Sequence, residues 1–544
     1  MLTFSPNQLF GSKPIFLVEF EFAGRTHRYA TERVTLSSND GDLDYFPNLI
    51  DFDFVESADI VSPDLEANIV SMALVMEDVD LLLQLSNGIV LEGVDAVFSY
   101  VLTRYDIPGQ GYEERVILYR GKIQEPQFGD PNEMDGFVSL SIEAQPYDGN
   151  RLLLDQNKYI DDRFPNRDVD TADGKIWPLV FGSPGKGIQE TAGTEKNIFA
   201  SPAYCIKKYD SHNAQFMIAG HVVEASTCVI QDEEFNTATK TIQKAVDNRG
   251  NPYSYIEIVP SDNVAMPGYS GSGTSREWWI YLDGGISNPY QDGTISGAGD
   301  LLRYMLSKSG QIIDDGAWAN LSSILNAYKF SGYINDGGIS SYDWIQSNLL
   351  PYLPITMRMG PKGLRPVLIE LWALSHVDPI YHINVGNEEE CQQITGVDTI
   401  RATSDLINEY TLEFGKRGFD QSYSSQIRVS NREVESYDIP SDYSILSQNR
   451  YGIKPSHGSN DYIYDRETAI QVALKRVRGK ALPLLQLGIS APTDLGWLMI
   501  GDVVEVSIER LHLTSHKMII TSKQWAGNHW RLNLIYEINP IQNQ

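Results

Sequence analysis

Asp465-Arg466-Glu467-Thr468-Ala469-Ile470-Gln471-Val472-Ala473-Leu474-Lys475-Arg476-Val477-Arg478-Gly479 opens the stretch, continuing to Ile538, whose reading decides the fold. Ile470, Ala473, Leu474 and Val477 recur at i, i+3, i+4 and i+7, the spacing of one helix face. Asp465 can accept from the first unpaired backbone N–H groups. Lys475, Arg476 and Arg478 fall in the last turn, where the backbone dipole favours cations, and Gly479 can end the helix. After a short apolar segment the period changes to two. Val504, Val506 and Ile508 alternate with Glu505, Ser507 and Glu509 after the turn-like Gly501-Asp502, and Met518 and Ile520 share a face in a run that closes at Trp525. Ala526-Gly527-Asn528 then turns the chain into Trp530, Leu532, Leu534 and Tyr536, alternating with Arg531, Asn533 and Glu537. The expectation is an antiparallel meander with one wet face and a helix laid on it. Such a pair buries little alone, so a further strand is expected from Tyr410, Leu412 and Phe414, which alternate with Glu409, Thr411 and Glu413.

The rest of the chain must hold several cores. At 544 residues it exceeds the roughly 250–300 at which single cores stop growing, so three or four domains are expected. Hydrophobic content of 42% with 29 Tyr and 9 Trp fits ordered globular structure. The 72 acidic residues against 43 basic give a net charge of -29, which argues against binding a polyanion through the bulk surface. Cys205, Cys228 and Cys391 are too few and scattered for a disulfide framework or a four-thiolate metal site, and suit a reducing cytosol. No apolar run reaches the roughly 18 residues of a membrane span, and the start lacks the pattern of an export signal.

The N-terminal part is rich in short strands. Phe16, Val18, Phe20 and Phe22 alternate with Leu17, Glu19 and Glu21, and His27 to Thr31 returns across Gly24-Arg25. Leu49 to Phe54, Ser71 to Val75, Ala96 to Leu102, Val116 to Ile123 and Phe137 to Ala144 supply more, with a short helix at Asp78 to Leu85, which together read as a barrel or sandwich up to about Tyr147. Ala214 to Ile218, Val222 to Ile230, Tyr253 to Val259 and Trp278 to Leu282 form a second strand-rich block. From Gly299 the period is helical: Leu301, Leu302 and Met305, then Leu321, Ile324 and Leu325, then Trp344, Ile345 and Leu349, the last stripe capped by Ser340 or Ser341. A hairpin, Thr356 to Met359 and Leu364 to Leu371, crosses Pro361-Lys362-Gly363. The fold class expected is mainly β with a small helical portion, α+β and multidomain.

Chemistry-bearing patterns are incomplete. Asp168-Val169-Asp170-Thr171-Ala172-Asp173-Gly174 has part of a calcium-loop ligand set but no closing Glu, so a solvated loop is the expectation, as it is for Asp161-Asp162-Arg163. Gly268-Tyr269-Ser270-Gly271-Ser272-Gly273 lacks the Gly-Lys-Ser/Thr ending of a phosphate loop. His376, Asp378, His382 and Cys391 could each bind a transition metal, but their spacing fits no standard zinc arrangement, and Glu388-Glu389-Glu390 reads as a solvated patch. No serine elbow or His-Glu-x-x-His helix occurs, and sequence gives no separations for carboxylate pairs. No catalytic, cofactor-binding or metal residue is therefore assigned, and no enzyme activity or cofactor is expected.

Several segments resemble the tail-hub (baseplate hub or tail-tip) proteins of long-tailed bacteriophages and gene-transfer agents. Asn408 to Gly415, Leu446-Ser447-Gln448-Asn449-Arg450-Tyr451-Gly452, the Asp465 helix and Gly501-Asp502-Val503-Val504 are similar to the C-terminal part of those proteins. Tyr119-Arg120-Gly121-Lys122-Ile123 with the Phe137 strand is similar to their first domain, and Phe330-Ser331-Gly332-Tyr333-Ile334 and Gly363-Leu364-Arg365-Pro366-Val367 flank a matching third helix. The resemblance covers most of the chain, most clearly from Gly299 onward. It implies a first hub β-barrel at 1–150, a connection at 151–182, an inserted peripheral β-domain at 183–290 that projects towards neighbouring tail proteins, three short helices plus a hairpin at 295–400, and a second hub barrel of helix and meander at 401–544. It implies a structural virion protein, made in the host bacterial cytoplasm, that forms a trimeric ring at the distal end of a tail. That ring would join the tube to the tip and receptor-binding apparatus and line the DNA exit path for genome ejection. Implied partners are two further copies, the distal tail, tail-tube and tape-measure proteins, and tip, spike or fibre proteins, with no specific nucleic-acid binding and no stable membrane insertion. The alternative is a cell-wall glycan hydrolase or carbohydrate-binding tail component, since aromatic faces stack on sugars, although most of the aromatics occupy strand-alternation positions.

Overall fold

A computed structural model describes residues 13–57, 69–75, 81, 87–88, 90–103, 112–128, 137–143, 152–155, 158–186, 188–191, 194–270, 276–308, 310, 312–360, 362–369, 378–385, 393–399, 403–511 and 513–537. The helix expected at Asp78 to Leu85 lies largely outside them. The fold is mainly β, and the chain divides into two compact units, each built from separated segments. Unit 1 takes 1–147, 355–402 and 483–544, and unit 2 takes 148–354 and 403–482. The stretch 401–544, expected to act as one barrel, is thus shared between the units.

Unit 1 contains a 13-stranded sheet. From one edge run Arg25–Ala30, Lys13–Phe22, Asp95–Thr103, Val116–Phe128, Phe137–Glu143, Ile69–Val75 and Leu49–Ser57, followed by Leu513–Trp525, Trp530–Glu537, Leu484–Ala491 and Gln393–Thr399. The two sets of strands meet at Ser522↔Ser57, Lys523↔Glu56 and Gln524↔Val55. Leu513–Trp525 therefore has a divided edge, because its earlier half bonds Val503–Ile508, which carries Tyr381–Val385 in parallel on its far side. Period-two alternation explains the core. Phe16, Val18 and Phe20 from one end of the chain and Leu487, Val504, Ile520 and Trp530 from the other belong to one buried cluster, each such side chain contributing roughly 1.5–3 kcal/mol. Phe16 packs against Phe52 at 4.4 Å between ring centroids and Trp525 at 4.9 Å.

The alternate face of Lys13–Phe22 is covered as well. Ile15 and Leu17 are buried there with Leu36 and Tyr45 of the hairpin Val34–Ser38 and Gly41–Tyr45, a hairpin that alternation in Leu17, Glu19 and Glu21 does not announce. Glu19 keeps company with this face by accepting hydrogen bonds from the Tyr45 hydroxyl at 2.7 Å and the Tyr112 hydroxyl at 3.0 Å.

Unit 2 contains a seven-stranded antiparallel sheet, in the order Thr237–Thr241, Thr227–Asp232, Trp278–Leu282, Ser201–Lys207, Ala214–Ala219, Pro252–Ile258, Gln243–Val246. Its two edge hairpins share one loop design. In Asp232-Glu233-Glu234-Phe235-Asn236 and Asp247-Asn248-Arg249-Gly250-Asn251 the first carboxylate accepts from the N–H groups two and four residues on and from the Asn side chain. The fourth residue has φ +63° at Phe235 and +84° at Gly250. Glycine adopts that conformation freely; phenylalanine does so under strain.

Five α-helices are described: α1 Ala298–Lys308, α2 Asp315–Leu325, α3 Ser341–Asn348, α4 Asp442–Tyr451 and α5 Arg466–Lys480. Ser340 caps α3, accepting from the Asp343 N–H, and Asp465 caps α5, accepting from the Thr468 N–H at 2.8 Å. α5 packs on Glu409–Lys416, Tyr423–Ser430 and α4, all in unit 2. This corrects two expectations: the Tyr410 strand belongs to a separate sheet, ordered Asp438–Pro440, Tyr423–Ser430, Glu409–Lys416, Pro455–Ser459, and α5 covers that sheet. The buried stripe is Ala469, Val472, Ala473 and Val477, with Ile470 and Leu474 half-buried. Gly479 does not end α5, because the Ala481 N–H still bonds Val477 O.

Candidate functional site

A cavity of about 200 Å³ opens in unit 2 where Gly332–Ile334, the end of Glu409–Lys416 and the run Asp461-Tyr462-Ile463-Tyr464 converge. Pairing with Leu179–Phe181 holds Gly332–Ile334 in place. At Gly332 a Cβ would lie 2.5 Å from the Tyr462 ring, so only glycine lets that ring close the wall. Trp344 meets Tyr462 edge to face at 5.1 Å between centroids, and its indole N–H donates to the Tyr462 hydroxyl at 3.1 Å. Burial pushes the Tyr462 phenol up to about 12 and holds those of Tyr333 and Tyr464 well above their ordinary value. All three are therefore neutral at ordinary pH.

The polar groups of the wall carry both signs. Lys416 pairs with Asp461 at 2.6 Å, and the Tyr423 hydroxyl donates to the second Asp461 oxygen at 2.6 Å. Arg417 and Asp336 also line the space. Asn335 donates to the Tyr204 hydroxyl at 2.8 Å, and its side chain is exposed. A series of rings leads away from Tyr333: Trp279 at 6.2 Å, Phe419 a further 6.0 Å on, and Phe235 6.2 Å beyond that. Phe235 ends the series at 73% exposure.

A second cavity of unit 2, about 420 Å³, is lined by Leu153, Lys158, Trp177, His221, Tyr304 and Lys308. Its imidazole is already committed. His221 Nε2 accepts from the Val180 N–H at 3.0 Å, and Nδ1 stands 3.0 Å from Val222 O as donor. Burial pushes this imidazole down to about 4.

The residues weighed from sequence do not gather into a site. Asp168 pairs with Lys208 at 2.9 Å and accepts from the Thr171 hydroxyl at 2.5 Å, while Asp173 pairs with Arg167, so this loop's carboxylates serve its own folding. Asp161 is held by Arg163 at 2.7 Å. Of the possible transition-metal set, His382 lies 3.2 Å from Glu505, Asp378 is exposed, and His376 and Cys391 fall outside the described residues, as do Glu388, Glu389 and Glu390. Gly268 has φ +88° and Tyr269 meets Tyr209 edge to face at 4.8 Å between centroids; Gly271, Ser272 and Gly273 are also outside. Cys205 and Cys228 are buried free thiols. Among the described residues no three His, Cys, Asp or Glu side chains are grouped as a metal ion would need. The cavity residues escaped the sequence because they come from distant segments; the alternation of Tyr462 and Tyr464 beside Asp461 was the one local signal.

No protein-family model and no curated protein matches the sequence. Among solved structures, the tail protein from Neisseria meningitidis MC58 is similar over 97% of this chain and 97% of that one, with 11% identity and a TM-score of 0.40. A likeness at that level establishes neither a shared fold nor a shared function.

Proposed function

We propose that this chain is a structural protein of a bacteriophage-type tail, a hub subunit of which three copies close a ring at the distal end. The observation that supports this reading is the composite sheet of unit 1, in which seven strands from 13–143 and six from 381–537 are joined edge to edge through Leu49–Ser57 and Leu513–Trp525. A subunit with two such strand sets can offer six β units from three copies to a sixfold tube while staying threefold towards the tip. A closed cyclic ring joins one face of each subunit to a different face of the next and leaves no free sticky surface. On this reading distal tail, tail-tube and tape-measure proteins meet one side of the ring, and tip, spike or fibre proteins meet the other. The net charge of -29 would repel phosphate and let DNA pass without sticking. No reaction is assigned to the ring.

Averaged electron micrographs of tail ends test the reading. Three copies in a threefold ring are expected; six copies, or one copy on the axis, would overturn it. Gel-shift assays at physiological salt should show no duplex binding, and a dye-release assay on purified cell wall should show no turnover.

A further inference from the structure

We propose that the Tyr333–Tyr462 cavity of unit 2 binds a neutral saccharide, with half-buried Phe419 and exposed Phe235, beyond the buried Trp279, offering contacts to further sugar rings. The inference rests on this cavity alone and stands whether or not the chain forms a tail ring. Three observations favour that ligand class. First, the charges of the wall cancel: Lys416 and Arg417 stand with Asp336 and Asp461, and Lys416 and Asp461 are already paired at 2.6 Å. An anion or a cation entering here would meet one pair of repelling groups, and a purely apolar ligand would strip four charges of solvent. Second, donors and acceptors alternate around the space. Tyr333, Lys416 and Arg417 can donate, Asp336 and Asp461 can accept, and Asn335 does both. A sugar hydroxyl is itself donor and acceptor and matches such a wall without a charge. Third, the half-buried Tyr333 and Tyr462 rings line the same space, and an aromatic ring is a partner for the apolar C–H face of a pyranose.

The ring series adds reach. Spacings of 6.2, 6.0 and 6.2 Å carry it from Tyr333 to Phe235, whose ring remains 73% exposed on a residue held at φ +63°. The sister hairpin has Gly250 at the same loop position. Apart from its contact with Phe419 the Phe235 ring faces solvent from a strained backbone, which leaves it available to something outside the chain.

The test is binding of the full-length protein to a printed array of neutral and charged oligosaccharides, followed by calorimetric titration with the best neutral oligosaccharide. Expected are a neutral ligand among the hits and an affinity that changes less than about twofold between roughly 50 and 500 mM salt, since screening acts only on charge. Tyr333→Ala and the exposed Asn335→Ala should each weaken binding about tenfold or more, the effect of one lost central contact. Phe235→Gly should weaken binding of longer oligosaccharides about threefold, less than one central contact, without unfolding the protein. The proposal is overturned if no neutral oligosaccharide binds, if binding is confined to anionic glycans and collapses with salt, or if folded Asn335→Ala and Phe235→Gly both bind like the parent.

Discussion

The Lys523 ammonium lies 5.3 Å from the centroid of the Trp530 indole, in a residue only 2% exposed. It donates to Gly496 O at 3.0 Å and Leu498 O at 2.9 Å, and stands 5.4 Å from the Phe54 ring. Its cross-strand partner Glu56 is itself buried. Burial lowers the pKa of this lysine, and Glu56 and Asp502 partly restore it. Lys523→Met would keep the bulk but orphan two carbonyls and remove the cation opposite the buried Glu56, costing about 3 kcal/mol. Urea unfolding followed by tryptophan fluorescence should show this; an unchanged midpoint would mean that those groups find other partners.

Ala473→Pro removes a hydrogen bond in the middle of α5 and clashes with the preceding turn, costing about 3 kcal/mol or more. Because α5 covers the sheet containing Glu409–Lys416 and Tyr423–Ser430, new proteolytic cuts should appear within 403–482. Cuts appearing first within 483–544 would contradict this placement.

His221 gives a pH dependence on the acid side of neutrality. Its folded value of about 4 lies below the ordinary 6.5, so between these pH values the unfolded chain binds more protons and stability falls as pH falls. Protonating Nε2 would also expel the Val180 N–H. Unit 2 should lose roughly 2 kcal/mol between pH 6.5 and 4, given that the residue is only half-buried. In His221→Gln that part of the slope should be missing from a stability-against-pH curve.

Asp438 acts in a lower window. Arg428 grips it with two hydrogen bonds of 2.7 and 2.8 Å, and together with the Val434 and Glu435 N–H groups holds its carboxyl down to about 2, from an ordinary 3.8. The stabilisation is complete above pH 4 and is lost as pH falls towards 2, amounting to about 2 kcal/mol. The stability gap between parent and Asp438→Asn should be constant above pH 5 and close below pH 4.

Phe235→Gly should raise stability by about 1 kcal/mol, because it relieves a left-handed backbone at a residue with little buried surface. Thermal unfolding compared with the parent measures it. A lower melting temperature would mean that the contact with Phe419, 6.2 Å between centroids, outweighs the strain.

Local chemistry was legible in the sequence. Asp465 and Ser340 cap the helices they were expected to cap, and Phe16, Val504, Met518 and Leu532 face a core as their alternation requires. Pairing was not legible, since a period of two marks a strand and its faces without naming its neighbour. Nothing in Val55, Glu56 or Ser57 points to Gln524, Lys523 or Ser522. The address of α5 was misread for a related reason: an apolar stripe says that a helix is covered, not by which sheet. The hairpin that covers Leu17, Val34–Ser38 with Gly41–Tyr45, was not named from sequence because it has weak alternation of its own. The cavity residues Tyr333, Asn335, Lys416 and Asp461 act only after folding brings four segments together.

The pairing of Ser57 with Ser522 also sets a timetable for synthesis. When the ribosome has made Leu49–Ser57, the strand that will cover its outer edge is still hundreds of residues from being translated, and unit 2 must be produced in between. Until Leu513–Trp525 emerges, the nascent chain carries an open row of N–H and C=O groups at Val55, Glu56 and Ser57, the kind of edge that recruits a strand from another molecule. Long sequence separation makes this closure slow as well as late. The exposed acidic residues Asp51 and Asp53 along that strand, poorly placed for packing, are well placed to keep waiting chains apart.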